Sequence, residues 1–307
     1  MKEYSKNLLT VLGPTATGKT RLAALVANEL DGEIISADSR QVYRGMDLGT
    51  GKDYDDYRVE DRFVPYHLVD IVEAGTEYNV FRFQQDCFKV LEDVISRNKF
   101  PVLCGGTGMY IESVLENYHL KDTPVNDELR VDLNNYTIEQ LVEQLSTYRE
   151  LHNTTDTNDR NRLVRAIEIE QYKLDNPHAI NNNIDLLANV LVGIHFEREV
   201  IRARITSRLD NRLKNGMIEE VEALLDNGLT PAQLKFYGLE YRYITMYLTN
   251  EITYKTMFEK LNIAIHQFAK RQMTWFRRME NKGYQIHWID GNLEDTVKVS
   301  MVLELLK

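Results

Sequence analysis

The residues best suited to chemistry form a glycine-rich segment near the amino terminus. It reads Gly13-Pro14-Thr15-Ala16-Thr17-Gly18-Lys19-Thr20 and fits the pattern G-x-x-x-x-G-K-[ST] between an apolar run and a helical pattern. Such a loop points backbone N–H groups at a phosphate, while Lys19 adds a positive charge and the Thr20 hydroxyl can ligate Mg²⁺. The pattern predicts a site for a di- or triphosphate. It leaves the compound open, because nucleotide switches, kinases and diphosphate-using transferases share this loop.

A carboxylate follows the second predicted strand. Asp38 comes just after Ile34-Ile35-Ser36, at the edge where open α/β sheets bind ligands. There it could accept a proton as a general base, or it could cap a following helix, and the residues alone leave both roles open. Many phosphate-loop proteins also hold Mg²⁺ with an Asp at a strand end, yet the run 101–104 ends without one and Asp70 is the only substitute. That absence argues against a nucleotide-hydrolysing motor or switch.

Short apolar runs alternate with longer amphipathic ones over the first 120 residues, which predicts a parallel sheet covered by helices. Strands are expected at 8–12, 33–36, 67–72 and 101–105, and helices at 19–30 and 80–97. Polar helical segments follow up to about residue 189, a strand-like run at 190–196 returns to the sheet, and nearly everything later reads as helix. The predicted fold is α/β, a P-loop NTPase-like parallel sheet flanked by helices with a helical insertion. Its expected parts are 1–120, 121–189 and 190–307.

The composition describes a globular protein long enough for two domains. The 307 residues are 43% apolar, which excludes disorder as the main character. Only two cysteines occur, Cys87 and Cys104, so a disulfide scaffold and a cysteine-based zinc finger are excluded, and we expect buried reduced thiols. No apolar stretch approaches the roughly 20 residues of a membrane span, which predicts a cytoplasmic protein. The net charge of −10 argues against non-specific DNA coating but allows a local basic face.

Two helical segments concentrate basic residues. Arg204, Arg208 and Arg212 fall at i, i+4 and i+8 on one helix face, although such a stripe is more often a solvated surface than a site. Between residues 264 and 279, apolar residues at helical spacing leave a second, basic face that includes Arg271. Phosphate contacts position a nucleic acid without reading its sequence, so this face is a candidate RNA surface. We expect Trp275 to pack inside the protein.

Four blocks carry a resemblance to a known family. In chain order they are residues 13–20, 36–50, 105–111 and 269–277, which read Gly-Pro-Thr-Ala-Thr-Gly-Lys-Thr, Ser-Ala-Asp-Ser-Arg-Gln-Val-Tyr-Arg-Gly-Met-Asp-Leu-Gly-Thr, Gly-Gly-Thr-Gly-Met-Tyr-Ile and Ala-Lys-Arg-Gln-Met-Thr-Trp-Phe-Arg. Together they resemble the tRNA dimethylallyltransferase (tRNA isopentenyltransferase) family over about residues 8–290. Because the chain has no room for a carboxyl-terminal zinc finger, we expect a bacterial-type member.

The resemblance implies transfer of a dimethylallyl group from dimethylallyl diphosphate to the exocyclic amine of the adenosine 3′ to the anticodon. It implies Mg²⁺ on Thr20, a tRNA anticodon stem-loop and dimethylallyl diphosphate as partners, and no membrane; we expect a monomer. The catalytic residues are then Asp38, which takes the amine proton, with Thr107 and Arg208. The implied diphosphate contacts are Gly13, Thr15, Ala16, Thr17, Gly18, Lys19, Thr20 and Arg208.

The same resemblance implies tRNA contacts in three parts of the chain. They are Asp38, Ser39, Arg40, Gln41, Thr107, Asn158, Asp159, Arg160, Asn161, Arg162, Lys270, Arg271, Gln272, Thr274 and Arg277. Two segments depart from the family pattern. Arg160 stands where the family usually has Pro, and residues 235–242 replace a shorter Gly-Tyr-Lys or Gly-Tyr-Arg element, so no role is predicted for that segment.

Three alternatives share part of this pattern. A relative that prenylates free adenine nucleotides would have less need of the insertion and the basic helix. A small-molecule kinase would use the phosphate loop and Asp38 to activate a hydroxyl, but it does not explain the later blocks. A non-catalytic, nucleotide-dependent tRNA-binding module is the alternative from another functional class.

Overall fold

A computed structural model describes residues 7–118, 123–148, 159–176 and 188–307. The chain divides into two compact units, Met1–Tyr118 with Ile184–Lys307 and His119–Asn183. The first unit holds every strand found in the described ranges, and the second contains helices. None of the helices in those ranges is both long and apolar enough to cross a membrane.

The larger unit is built on a six-stranded parallel sheet. Its strands are β1 Leu8–Leu12, β2 Gly32–Ser36, β5 Tyr66–His67, β6 Phe100–Gly105, β7 Asn189–His195 and β8 Ile286–Asp290, while β3 Arg58–Val59 and β4 Arg62–Phe63 form a separate antiparallel pair. The order across the sheet is β5-β2-β6-β1-β7-β8. Every residue of the central β1 is buried, as expected of a strand covered on both faces. The predicted α/β class is confirmed.

Two differences from the predicted strands have local causes. The strand expected at 67–72 ends at His67, since Leu68 and Asp70 take left-handed backbone conformations with φ of +61° and +56°. The edge strand β8 falls where the sequence read as helix. It pairs with β7, and the Trp288 ring packs directly on Gly193, where a Cβ would lie 2.4 Å from the ring.

Helices cover the sheet and extend from its edge. In chain order they are α1 Lys19–Glu29, α2 Val80–Ser96, α3 Gly108–Leu115, α4 Asp127–Leu133, α5 Ile138–Tyr148, α6 Arg160–Asp175, α7 Arg198–Lys214, α8 Met217–Asp226, α9 Pro231–Leu234, α10 Leu239–Leu248, α11 Tyr254–Asn281 and α12 Asp295–Leu305, with a short 3₁₀ helix at Tyr54–Tyr57. The predicted helices at 19–30 and 80–97 correspond to α1 and α2. Asn79 begins α2 by accepting a hydrogen bond from the Arg82 N–H at 3.0 Å.

Three apolar cores stabilise the larger unit. One face of the sheet packs on α1 and α12, and the other packs on α2, α3 and α11. A third core joins α7, α8, α10 and α11. Cys87 and Cys104 are free, buried thiols, as predicted. Because α11 contributes to both the second and third cores, its register relative to the sheet edge is fixed by packing.

The smaller unit has its own core. Helices α4, α5 and α6 bury five aliphatic side chains, Leu133, Leu141, Leu145, Leu163 and Ile167. The carboxylate of Glu168 is fully buried and pairs with Arg130 at 2.6 Å and Arg165 at 2.9 Å. The pair with Arg130 joins α6 to α4, and the pair with Arg165 lies within α6, so the buried carboxylate has two cationic partners.

Candidate active site

The phosphate loop connects β1 to α1 in the conformation that anion binding requires. Gly18 precedes α1 with a left-handed φ of +79°, and no side chain caps this helix end. Ala16, with a φ of +64°, contributes a second left-handed residue. The Thr17 hydroxyl donates to the Pro14 carbonyl at 2.9 Å and closes the loop from inside. The free N–H groups of the first helical turn are left available to an anion.

A cavity of about 740 Å³ opens in front of this loop. The loop and Thr20 form one side, and Asp53, Asp56 and the arginines of α7 form the other. Arg208 donates to the Thr15 hydroxyl at 3.3 Å, and Arg204 donates to the Ala16 carbonyl at 2.9 Å. We call this space the phosphate cavity, since cations and backbone donors converge on it.

Lys19 lines the phosphate cavity, and the pKa of its ammonium group is lowered. Burial lowers the pKa of its ammonium group, against smaller opposing effects from Cys104 and Asp38. The Nζ atom lies 3.5 Å from the Pro14 carbonyl, the hydrogen bond the structure gives it. An anion bound in the loop would therefore supply a charge partner for the Lys19 ammonium group.

Asp53 links two arginines of the phosphate cavity. Its carboxylate pairs with Arg208 at 2.7 Å and with Arg212 at 2.9 Å. Burial raises the pKa of Asp53, but the two guanidinium groups outweigh that effect and hold the pKa below its ordinary value. Sequence reasoning missed Asp53, Asp56 and the role of Arg212, because nothing local connects the 49–57 segment to α7. The arginine spacing on α7 was the only signal.

The oxygen atoms that line the phosphate cavity could hold a Mg²⁺ ion with only a few protein ligands. Thr20 offers a hydroxyl, and Asp53 and Asp56 offer carboxylates, all oxygen ligands that Mg²⁺ prefers. Within the described ranges, no three His, Cys, Asp or Glu side chains cluster as a metal site of their own. Asp70, the alternative considered from sequence, instead pairs with the buried Lys52 and accepts from Tyr54 at 2.6 Å. The site suits an ion that takes most ligands from phosphate oxygens and water.

Asp38 stands at the carboxyl end of β2, half-buried, in a second cavity of about 400 Å³. Its carboxylate accepts from the Arg40 N–H at 2.9 Å and so shapes a turn. In the described residues after β2, the next helical element begins at Tyr54, so Asp38 does not cap a helix. We call this space the acceptor cavity. It shares Arg208 and Arg212 with the phosphate cavity, so the two spaces adjoin.

The Gly-Gly-Thr turn after β6 lies against Asp38's loop. Thr107 lines the acceptor cavity, and its hydroxyl accepts from the Ser39 N–H at 3.2 Å instead of capping α3. The glycines pack closely on the rest of the protein: a Cβ on Gly105 would lie 2.2 Å from the Ala37 carbonyl oxygen. A Cβ on Gly106 would lie 2.4 Å from Gln272, and one on Gly108 would lie 2.2 Å from Trp275 on α11. Trp275 therefore packs inside the protein, as expected.

Gln272 braces the site from α11. It is 8% exposed; its Oε1 accepts from the Thr15 N–H at 2.9 Å, and its Nε2 donates to the Gly106 carbonyl at 2.9 Å. Both bonds are internal to the protein, whereas the sequence predicted a tRNA contact. Gln41 is likewise held by Ser36 and by the Gly51 carbonyl, at 3.1 Å each. Both amides thus hold the loops around the cavities.

The other α11 residues that the resemblance assigns to tRNA contacts point outward. Lys270, Arg271, Thr274 and Arg277 are exposed, and Arg271 also lines the acceptor cavity. Two turns after Arg271, on the same side of the helix, Arg278 pairs with the buried Glu112 at 2.5 Å. The exposed residues form a basic face that leads to the acceptor cavity.

In the smaller unit, the segment predicted to contact tRNA starts α6. Asp159 caps the helix by accepting from the N–H groups of Asn161 and Arg162, at 3.0 and 3.2 Å. The Arg160 guanidinium donates to carbonyls at the end of α4, the nearest being Tyr136 at 2.5 Å. Asn161 and Arg162 are exposed. Asn158 lies outside the described residues.

Glu240 and Phe236 also line the acceptor cavity, in the segment 235–242 for which the sequence predicted no role. Burial raises the pKa of the Glu240 carboxyl group, against the opposing effect of Arg212. The acceptor cavity therefore holds a second carboxylate beside Asp38. The departure of this segment from the family pattern was the only available signal.

Comparison with known proteins extends the match along the whole chain. The IPP transferase family model matches residues 41–279. The tRNA dimethylallyltransferase 1 of Parabacteroides distasonis is 52% identical over 307 residues, covering 100% of this chain and 99% of the relative. The tRNA dimethylallyltransferase 2 of Bacteroides fragilis is 50% identical with the same coverage.

Solved structures agree in fold. The full-length tRNA isopentenylpyrophosphate transferase from Bacillus halodurans superposes with a TM-score of 0.70 at 29% identity, covering 98% of this chain and 95% of that one. A eukaryotic dimethylallyltransferase acting on tRNA has a TM-score of 0.72 at 22% identity, covering 94% and 74%, and shows the shared fold. The chain therefore belongs to the IPP transferase family, a family of prenyltransferases.

Proposed function

We propose that the protein transfers a dimethylallyl group from dimethylallyl diphosphate to the exocyclic amine of the adenosine 3′ to the anticodon in tRNA. One observation carries the proposal: the phosphate cavity adjoins the acceptor cavity that holds Asp38, with Arg208 and Arg212 lining both. A diphosphate in the first would direct its allylic carbon towards an acceptor in the second. The identity of the curated relatives, about 50% over the full chain, supports the same reaction.

The donor half of the reaction belongs to the phosphate cavity. As the allylic carbon–oxygen bond breaks, both bonding electrons leave with the diphosphate, and negative charge grows on its oxygens. Lys19, Arg208 and the N–H groups of the loop stabilise that charge, and Arg212 adds a second guanidinium. The Thr20 hydroxyl would help to hold a Mg²⁺ ion, which would further neutralise the charge of the leaving diphosphate.

The acceptor half belongs to Asp38. The adenosine amine is a weak nucleophile because its lone pair is delocalised into the ring. When its nitrogen bonds to the allylic carbon, Asp38 removes the proton and restores a neutral amine. Thr107 holds the turn beside Asp38 through Ser39, so it positions this loop whether or not it also touches the base. The adenine must leave its stack to reach this depth, at a cost of a few kcal/mol.

The tRNA is held outside the acceptor cavity. We propose that the basic face of α11, formed by Lys270, Arg271 and Arg277 with Thr274, contacts backbone phosphates. We also propose that the insertion at 121–189 contacts the tRNA through Asn161 and Arg162, which are exposed. In this arrangement the acidic net charge of −10 does not oppose binding, because the field at the face is local.

Transfer of radiolabel from dimethylallyl diphosphate tests the proposal. The account predicts label in tRNA with an intact anticodon loop, little label in adenosine monophosphate, and no phosphate release from ATP on addition of small alcohols. Label in free nucleotide instead would support the adenylate-prenylating alternative. Binding of tRNA without label transfer would support the non-catalytic alternative.

A further inference from the structure

Phe236 is the most exposed large apolar side chain in the described part of the chain, with 72% of its surface open. It follows α9 and lines the acceptor cavity that contains Asp38. Exposure of a phenyl ring to water is unfavourable, and the neighbouring Tyr237 is buried in the adjacent core. A ring that is this exposed beside a cavity indicates a surface that a bound ligand would cover.

A second phenylalanine shares these features. Phe268 on α11 is 39% exposed and lines the same cavity. Each ring carries an arginine over its face: Arg40 lies 5.7 Å from the centroid of Phe236, and Arg271 lies 5.9 Å from that of Phe268. Aromatic rings paired with guanidinium groups are the surfaces on which unstacked nucleobases lie.

The charge around the two rings favours a polyanion over an apolar protein partner. The cavity is lined by six basic side chains, Arg40, Arg208, Arg212, Lys235, Arg242 and Arg271, against the two carboxylates of Asp38 and Glu240. Such a lining would repel a basic surface and would place charged groups against an apolar partner. It suits a nucleic acid whose phosphates meet the cations and whose bases meet the rings.

We propose that Phe236 and Phe268 are stacking surfaces for unpaired bases of the tRNA anticodon loop. The inference rests on the proposed function, since the bases belong to the acceptor tRNA. A base that leaves its stack to approach Asp38 also disrupts its neighbours, and an aromatic surface at the cavity replaces the lost stacking. Because every base has a flat face, such contacts tolerate different loop sequences.

Binding of an anticodon stem-loop RNA by Phe236→Ala tests the proposal. Loss of one stacking aromatic should weaken binding roughly 5- to 100-fold at every salt concentration, with an unchanged salt dependence, because stacking releases no counterions. Phe236→Trp should restore binding, and the KM for dimethylallyl diphosphate should stay at its wild-type value. Phe63→Ala is the matched control, since that ring is 51% exposed on β4, outside both cavities.

The RNA side of the contact is identified with single abasic substitutions through the loop. At the nucleotide that stacks on Phe236, the abasic RNA should bind wild type and Phe236→Ala equally, whereas RNAs abasic elsewhere should keep the full difference. Two results would overturn the stacking proposal without affecting the proposed prenyl-transfer function. One is that Phe236→Ala binds RNA with wild-type affinity, and the other is that its difference from wild type persists with every abasic RNA. Absence of prenyl transfer by wild type, with the Phe236 effect on RNA binding retained, would instead count against the proposed function alone.

Discussion

Gln272→Ala removes two hydrogen bonds that join the phosphate loop to the Gly-Gly-Thr turn. In the structure the Thr15 N–H donates to its Oε1 and its Nε2 donates to the Gly106 carbonyl, both at 2.9 Å. Gln272 is only 8% exposed, so water does not readily replace either partner. Each unsatisfied buried group costs about 1–3 kcal/mol, so loss of the two bonds should lower the free energy of unfolding by roughly 2–6 kcal/mol.

Chemical denaturation measures that loss, and Gln267→Ala, an exposed position on the same helix, should change stability by less than about 0.5 kcal/mol. The loosened loop should also raise the KM for dimethylallyl diphosphate, while the Kd for tRNA stays close to that of wild type. Wild-type stability combined with a weakened tRNA affinity would refute the reasoning, because it would place the Gln272 amide on RNA.

Lys19→Ala should raise the KM for dimethylallyl diphosphate at least about tenfold, since hydrogen bonds to charged groups contribute about 1.5–3 kcal/mol; an equal loss of tRNA affinity in filter binding would contradict this role. Replacing Lys270, Arg271 and Arg277 by Ala should weaken tRNA binding and flatten its salt dependence by about 0.7–0.9 in log–log slope per lost phosphate contact. An unchanged slope would show that this face does not touch RNA. Arg97 holds the pKa of Glu33 at about 2, below its ordinary 4.5, so the Glu33 carboxylate stabilises the fold above pH 4.5 and this stability is lost as the pH falls towards 2. Glu33→Gln should therefore cost about 3 kcal/mol at neutral pH and progressively less on acidification, and a cost that is constant with pH in unfolding measurements would exclude that linkage.

The parts of the fold that were predictable carry local signals. β1, the phosphate loop and α1 follow from an apolar run, a glycine pattern and a helical period, and they lie where the sequence placed them. β8 lacks such a signal, because it is five residues long, follows the 28-residue α11, and is fixed by pairing with the distant β7. β5 ends early because Leu68 adopts a left-handed backbone conformation, which leucine rarely does, so the sequence does not indicate it.

The same distinction applies to the candidate site. The types and spacing of the loop residues predict that Lys19 and Thr20 face a phosphate, because the motif itself determines the geometry of the loop. The pairing of Asp53 with the α7 arginines joins segments about 155 residues apart, and only the packed fold brings them together. The family resemblance implied a tRNA contact for Gln272, whereas the helix register turns its side chain towards the phosphate loop.

Asp38 is proposed to take the amine proton beside a donor held in the phosphate cavity. Single-turnover transfer from radiolabelled dimethylallyl diphosphate to tRNA, with both substrates saturating, tests it by comparing wild type with Asp38→Asn. Asp38→Asn should bind both substrates yet transfer the group at least about 100-fold more slowly. Asp55→Asn, at an exposed position on the 3₁₀ helix, should behave as wild type. A near-normal rate in Asp38→Asn would remove Asp38 from the mechanism.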